Sequence, residues 1–209
     1  MGIETLLFLA ILLFSVVIHE VSHGVAANSM GDDTAKRLGR LTLNPLKHLD
    51  PFGSVILPLL LILFGTPFIF GYAKPVPYNP YKLNDKKYGP AKVAMAGPLA
   101  NMTIAFLFGV MVRLSTAGIF PFGPEVTAMF EGIVWINVLL AVFNLMPIPP
   151  LDGHWLVLTF LPDKFVRFKM MFQRMGIFLF FILLFVVFPL IVPVIVLISE
   201  LMIGKPLFI

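Results

Sequence analysis

Three residues early in the chain, His19, Glu20 and His23, carry the spacing H-E-x-x-H. On a helix, positions i and i+4 lie on one face, about 6 Å apart along the axis. His19 and His23 can therefore both turn a ring nitrogen toward one metal ion. Glu20 lies roughly 100° further round, so it flanks that ion instead of joining the line of ligands. This is an arrangement for two zinc ligands and a general base acting on metal-bound water. The motif ends an apolar run that carries no charge between Glu4 and His19. Ionisable groups are costly in such a setting and tend to be functional there, which weighs against a chance occurrence of a short pattern.

A catalytic zinc site takes three protein ligands and keeps one position open. There is no cysteine, so thiolate ligands and disulfides are excluded, and only four histidines exist: His19, His23, His48 and His154. Asp152 is the best third ligand. It follows Pro147, Pro149 and Pro150, which break the preceding helix and free the backbone, and Gly153 after it permits close approach. The competing role for Asp152 is a helix N-cap before the apolar stretch that follows. His154 reads as a hydrogen-bonding residue at the membrane edge. His48 and Asp50 read as a solvated or capping pair, with support of the metal ligands as the alternative. Asn144 and Asn101 each have two readings, a helix–helix hydrogen bond or a contact that orients the substrate carbonyl and stabilises its oxyanion.

The elements that must position these groups are membrane segments. Of 209 residues, 59% are hydrophobic and 12% charged, against about 25% charged in an average globular domain. The expected fold is an all-α polytopic membrane protein of about 4–6 membrane segments, with a small membrane-embedded re-entrant hairpin or β element. Residues 1–209 read as a single domain, with a catalytic core over about 1–160 and a last transmembrane helix over about 175–202. The first apolar run lacks a basic leading region, so it reads as a retained span and not a cleaved signal peptide. Spans are expected over 4–27, 91–114, 128–146 and 175–202, the last bent at Pro189 and Pro193. Residues 54–70 are apolar but flanked on both sides by Lys/Arg-rich connectors. A re-entrant hairpin turning at Gly65-Thr66-Pro67 keeps both connectors on one side, and is preferred to a plain crossing. Arg40–Leu43 is a candidate short strand. All Lys and Arg but Arg113 and Lys205, of the 15 present, then fall on the cytoplasmic side of a plasma membrane, together with the H-E-x-x-H end and Asp152. In such a chain the net charge of +4 reports topology, and no nucleic acid partner is expected.

With these residues in place, the chain resembles the site-2 protease family of intramembrane zinc metalloproteases, of peptidase M50 type, and within it the short prokaryotic members. The resemblance rests on His19-Glu20-x-x-His23, on Gly97-Pro98-x-x-Asn101, on Asn144-x-x-Pro147 with Asp152-Gly153, and on Gly39 to Pro45 followed by Pro51-Phe52-Gly53. It covers about residues 10–160. It implies one zinc held by His19, His23 and Asp152, with Glu20 activating water and Asn144 handling substrate. It also implies a membrane-embedded β element that receives the substrate, for which 40–44 or 68–78 are the candidate edges. The implied activity is regulated intramembrane proteolysis, cleaving a single-span membrane protein or a signal-peptide-like segment. Anti-sigma factors, membrane-tethered transcription factors and leftover signal peptides are the substrate classes. The lipid bilayer is the other partner, and assembly into a homo-oligomer is compatible with the sequence. No PDZ or CBS domain is visible. Two alternatives stand beside this reading: a divalent-metal-binding membrane protein such as a transporter or sensor, and a catalytically inactive relative. A transporter needs metal ligands repeated along a path, whereas here they cluster at one depth. An inactive relative usually lacks the general base, and Glu20 is present.

Overall fold

A computed structural model describes residues 3–56, 59–60, 63–64 and 73–207. Among them there are helices and irregular connectors but no strand. The α-helices in chain order are α1 (Ile3–Ser29), α2 (Thr34–Arg37), α3 (Gly89–Thr116), α4 (Pro124–Asn144), α5 (Gly153–Phe160), α6 (Val166–Arg174), α7 (Gly176–Ile182) and α8 (Phe188–Ile203). Four stretches are long and apolar enough to cross a bilayer: Leu6–Ser29, Gly89–Thr116, Pro124–Asn144 and Phe178–Ile203. They match the four spans expected from hydropathy. The chain is an all-α, multi-pass membrane protein.

Helix α3 is the spine, packed against α1, α4, α5 and α8. Its buried face is rich in small residues, Ala94, Gly97, Ala105 and Gly109, which let neighbouring backbones approach where lipid offers no hydrophobic drive. Away from the H-E-x-x-H end, Ala105 and Val112 of α3 meet Val134 and Val138 of α4 and Ile195 and Ile203 of α8 in one sealed cluster. The outer faces carry exposed Leu6, Phe14, Leu99, Phe106 and Leu107, as suits helices bathed in acyl chains. The last span is interrupted by a loosely wound π turn over Leu183–Val187. It falls immediately ahead of Pro189, whose missing N–H and ring displace the regular hydrogen-bond ladder. The two basic residues set apart in the topology lie at the far end of the bundle. Arg113 Nε donates to the Met202 carbonyl, and Lys205 pairs with Glu131 at 2.6 Å.

The connectors correct two expectations. Arg40–Leu43 is not a strand; the backbone there is irregular. Its carbonyl at Thr42 and its guanidinium at Arg40 bond side chain to main chain instead of forming a ladder. Of the 68–78 segment, residues 73–78 are irregular and form no strand, and Lys74 N–H bonds the His48 carbonyl of the first connector at 2.8 Å. The Gly65-Thr66-Pro67 turn and residues 68–72 lie outside the described residues. Before them, Pro51–Ile56 winds as a π-helical turn.

One carboxylate ties the end of α1 to the second connector. Asp32, closed to solvent, accepts from Thr34 N–H and Oγ1, and its other oxygen accepts from Asn79 N–H at 2.5 Å. Burial pushes this carboxyl up, but the hydrogen bonds from Thr34 and Asn79, with Lys82 nearby, outweigh burial and hold it below the ordinary carboxylate value. A depressed carboxyl contributes stability that is fully present above its unfolded value, about 3.9, and is lost as pH falls through the folded value. Acidifying the protein in detergent below about pH 4 is expected to lower its melting temperature, and Asp32→Asn is expected to flatten that dependence, read by scanning fluorimetry.

Candidate metal centre

His19 and His23 stand on consecutive turns of α1, with ring centroids 4.7 Å apart and planes nearly perpendicular. Asp152 reaches them from the start of α5, 133 residues further along the chain. Its Oδ2 lies 3.0 Å from His19 Nε2 and 3.2 Å from His23 Nε2. Ligand atoms of the three residues all fall within 4.8 Å of one another. Asp152 does occupy the N-cap position of α5, yet its side chain caps no backbone N–H and faces the histidines. Gly153 makes this possible: a Cβ there would strike the Leu145 and Met146 carbonyls, so only glycine lets α5 start against the end of α4. Gly97 plays the matching part on α3, because a Cβ at that position would lie 2.5 Å from His23 Nε2 and 2.6 Å from His19 Nε2.

The outer nitrogens of both rings are committed. His23 Nδ1 donates to the Val93 carbonyl at 2.7 Å, and His19 Nδ1 meets Asn101 Oδ1 at 2.5 Å. The orientation of Asn101 follows from its other partners. Its Nδ2 faces the Ser15 carbonyl, which can only accept, and Asn137 Oδ1. Asn137 is fixed in turn because its Nδ2 faces the Ile133 carbonyl and Ser15 Oγ. Each Nδ1 therefore carries its hydrogen, and each Nε2 offers a lone pair toward one carboxylate oxygen. Two lone pairs and an anion at about 3 Å repel one another unless both rings take a second proton or a cation sits among them. A tetrahedral zinc with ligand bonds near 2.0 Å has ligand–ligand edges of about 3.3 Å, close to the distances here. The donor set fits a divalent cation with two neutral imidazoles and one carboxylate.

A cavity of about 190 Å³ opens on this group, walled by His19, Glu20, His23, Asn144 and Trp155 among others. Glu20 projects into it and accepts from Val76 N–H at 2.8 Å. That amide is placed by the first connector: Arg40 Nη2 bonds the Lys74 and Pro75 carbonyls at 2.8 and 3.3 Å. Asn144 lines the cavity while one of its N–H groups bonds the Leu140 carbonyl of its own helix, so the expected helix–helix bond is not the one made. Asn101 corrects the expectation of a substrate or oxyanion contact. It is fully buried behind His19, with both ends of its amide engaged. Asp50 Oδ1 caps Phe52 and Gly53 N–H as a turn residue. His48 is wholly buried instead of solvated and bonds the Thr42 carbonyl. His154 bonds the Leu151 carbonyl and stands outside the metal group, and burial holds it below the ordinary imidazole value. Tyr78, with its hydroxyl buried, and Trp155 are cavity residues that motif spacing does not reveal. Ser15 and Asn137 carried a signal of their own, as polar groups inside otherwise apolar spans.

The family model for peptidase family M50 matches residues 118–184, a stretch that holds Asn144 and Asp152. The "Putative zinc metalloprotease YwhC" of Bacillus subtilis is 39% identical over 183 residues, 84% of this chain and 78% of the relative. The chain belongs to peptidase family M50. A second relative, the "Putative zinc metalloprotease Rip2" of Mycolicibacterium smegmatis, is 33% identical over 145 residues, 68% of this chain. The chain spans about half of Rip2, 52% of its length. No solved structure matches the chain. Membership makes the protein a metalloprotease, and the names of its relatives imply zinc as the metal.

The histidine-supporting network predicts a graded defect in this M50 protein. Asn101→Leu removes the acceptor that fixes the His19 tautomer and is expected to weaken zinc binding about 10–100-fold, measured by competition with a chromophoric chelator. An unchanged zinc affinity would remove Asn101 from the site.

Proposed function

We propose that this protein is an intramembrane zinc endopeptidase, hydrolysing a peptide bond in or beside a transmembrane segment of a partner protein. The observation that carries the reading is the meeting of His19, His23 and Asp152 in one ligand group with Glu20 at its edge, inside a bundle of membrane helices. One zinc per chain would be held by those three residues. When bound, it supplies a Lewis acid that polarises the scissile carbonyl and lowers the pKa of water.

The residues of the chain do the rest. Glu20, held by the Val76 amide, takes a proton from the attacking water and returns it to the leaving amine. Asn144 lines the cavity with one N–H on the Leu140 carbonyl, and the rest of its amide would serve the substrate carbonyl or its oxyanion. The polar lining of a site at the end of α1 admits water to a bond otherwise shielded by lipid. A substrate helix hides its carbonyls in its own hydrogen bonds, so it must unwind locally to enter. The main chain of residues 73–78 lies beside the cavity, but its Lys74 and Val76 N–H groups are already engaged and Pro75 and Pro77 have none, so replacement partners for the unwound stretch would come from its remaining groups.

Lys and Arg concentrate on the connectors at the site's end of the bundle, while Arg113 and Lys205 lie at the other. This supports a plasma-membrane protein whose active site opens toward the cytoplasm. Single-span proteins and signal-peptide-like remnants are the substrates of matching shape. The whole of 1–209 acts as one domain, with the core in about 1–160.

In detergent, Glu20→Gln is expected to retain one zinc per chain and to lose cleavage of a single-span reporter by at least about 10²-fold, whereas His23→Ala and Asp152→Ala lose the metal itself. Metal content by atomic emission and product by mass spectrometry decide it. Full activity in Glu20→Gln would sink the mechanism.

A further inference from the structure

Helix α6 (Val166–Arg174) is joined to the bundle mainly through its chain neighbours, the turn before it and α7 after it. Isolated helices shorter than about 12–15 residues are marginal in water, so a helix of 9 residues needs a surface to hold it. It lies where a bilayer surface must run. The last span starts at Phe178, just beyond α6, and Lys169 of α6 walls one cavity with Lys86 and Lys87, at the metal end of the bundle. At about 100° per residue, Met171, Phe168 and Phe172 make one apolar face roughly 100° wide. Phe168 and Met171 are exposed, and the Phe168 and Phe172 rings stack with centroids 5.7 Å apart, so the face is formed and open. Arg167 and Arg174, two turns apart, share one border of it. Both are exposed, and no described carboxylate pairs with either. Lys169, on the other border, is already engaged. Only Val166 and Met170 interrupt the polar side. From Gly153 to Ser199 the sequence holds one acidic residue, Asp163, against Lys164, Arg167, Lys169 and Arg174.

We propose that α6 is an in-plane membrane anchor, with Met171, Phe168 and Phe172 sunk among acyl chains and Arg167 and Arg174 on the phosphates of anionic phospholipids. Three observations favour a lipid headgroup over a protein segment as the occupant. An apolar, aromatic face bordered by long cationic side chains matches the step from acyl chains to phosphates, which arginine stems bridge by reaching outward. The guanidinium fork fits two phosphate oxygens at once, and with no described carboxylate on Arg167 or Arg174 the fork is open to them. The span that begins at Phe178 also ties α6 to the depth of the headgroups. This role goes beyond the protease reading and stands without it.

The chain has no cysteine, so single spin labels can be placed cleanly. Full-length protein carrying a nitroxide at Met171→Cys or at Met170→Cys is reconstituted in vesicles of phosphatidylcholine and phosphatidylglycerol. The label at 171 is expected to be relaxed by dissolved oxygen, and the label at 170 by a water-soluble nickel complex. Any other pattern overturns the anchor, and shielding of 171 from both reagents would assign the face to a protein partner instead. Headgroup choice is read on the unlabelled protein by native mass spectrometry, as phosphatidylglycerol retained over phosphatidylcholine. Wild type is expected to favour phosphatidylglycerol about five- to thirtyfold, at roughly fivefold per arginine. Arg167→Gln/Arg174→Gln is expected to cut that preference at least about fivefold with zinc content unchanged, and Arg167→Lys/Arg174→Lys to keep most of it. No preference in wild type, a Gln variant within about twofold of wild type, or an equal loss in the Lys variant overturns the headgroup assignment.

Discussion

Everything at this site depends on two imidazoles that cannot turn. Each ring is pinned through its outer nitrogen, His23 by the Val93 carbonyl and His19 by the Asn101 amide, so the inner lone pairs converge without any search. A histidine free to rotate or to exchange tautomers would lose entropy on binding metal and would present the wrong nitrogen part of the time. Both pins come from α3, and the amide pin is itself held by α4 through Asn137 and by α1 through Ser15. The polar thread links three spans inside an apolar bundle. Each of its members is satisfied, which is the condition under which buried polar groups rigidify a core instead of weakening it.

That requirement explains the shape of α3. It must bring a carbonyl and an amide to the back of two rings on α1, which demands near contact of the helices at Gly97. It must also keep its other end sealed against α4 and α8 through Ala105 and Val112. Small residues serve at both ends, Gly97 at the first and Ala105 and Gly109 at the second, because in lipid close fit does the work that water does elsewhere. The third ligand then arrives from a chain that has left its helix. The prolines of 147–150 end the regular structure after α4, and α5 begins at once because Gly153 tolerates the carbonyls beneath it.

The spans and the meeting of His19, His23 and Asp152 were legible because the signals are strong and local. A run of some twenty apolar residues has few other meanings, and two histidines at helical spacing inside one have fewer. Asp152 stood out by its place, at the end of an inward span behind Pro147, Pro149 and Pro150 and before Gly153. Asn101 was visible as a residue out of place in lipid, but not its partner: whether an amide in a span faces substrate, another helix or a ligand's far nitrogen is set by rotation of the helix, which hydropathy does not report. The connectors were least legible. Arg40–Leu43 has the composition of a short strand, yet its hydrogen bonds go from guanidinium and imidazole to main chain, and side-chain bonds of that kind leave no periodic trace.

The hold on Glu20 has a further consequence. The donor that reaches it is the Val76 amide, and Val76 is flanked by Pro75 and Pro77, neither of which has an N–H. A slip of this segment by one residue in either direction would offer the carboxylate no donor at all. Alignment of the connector with the active site is therefore digital rather than graded. The hydrogen bond itself bars only proline at position 76, while the burial of Val76 over Gly24 of α1 limits the shape its side chain can take.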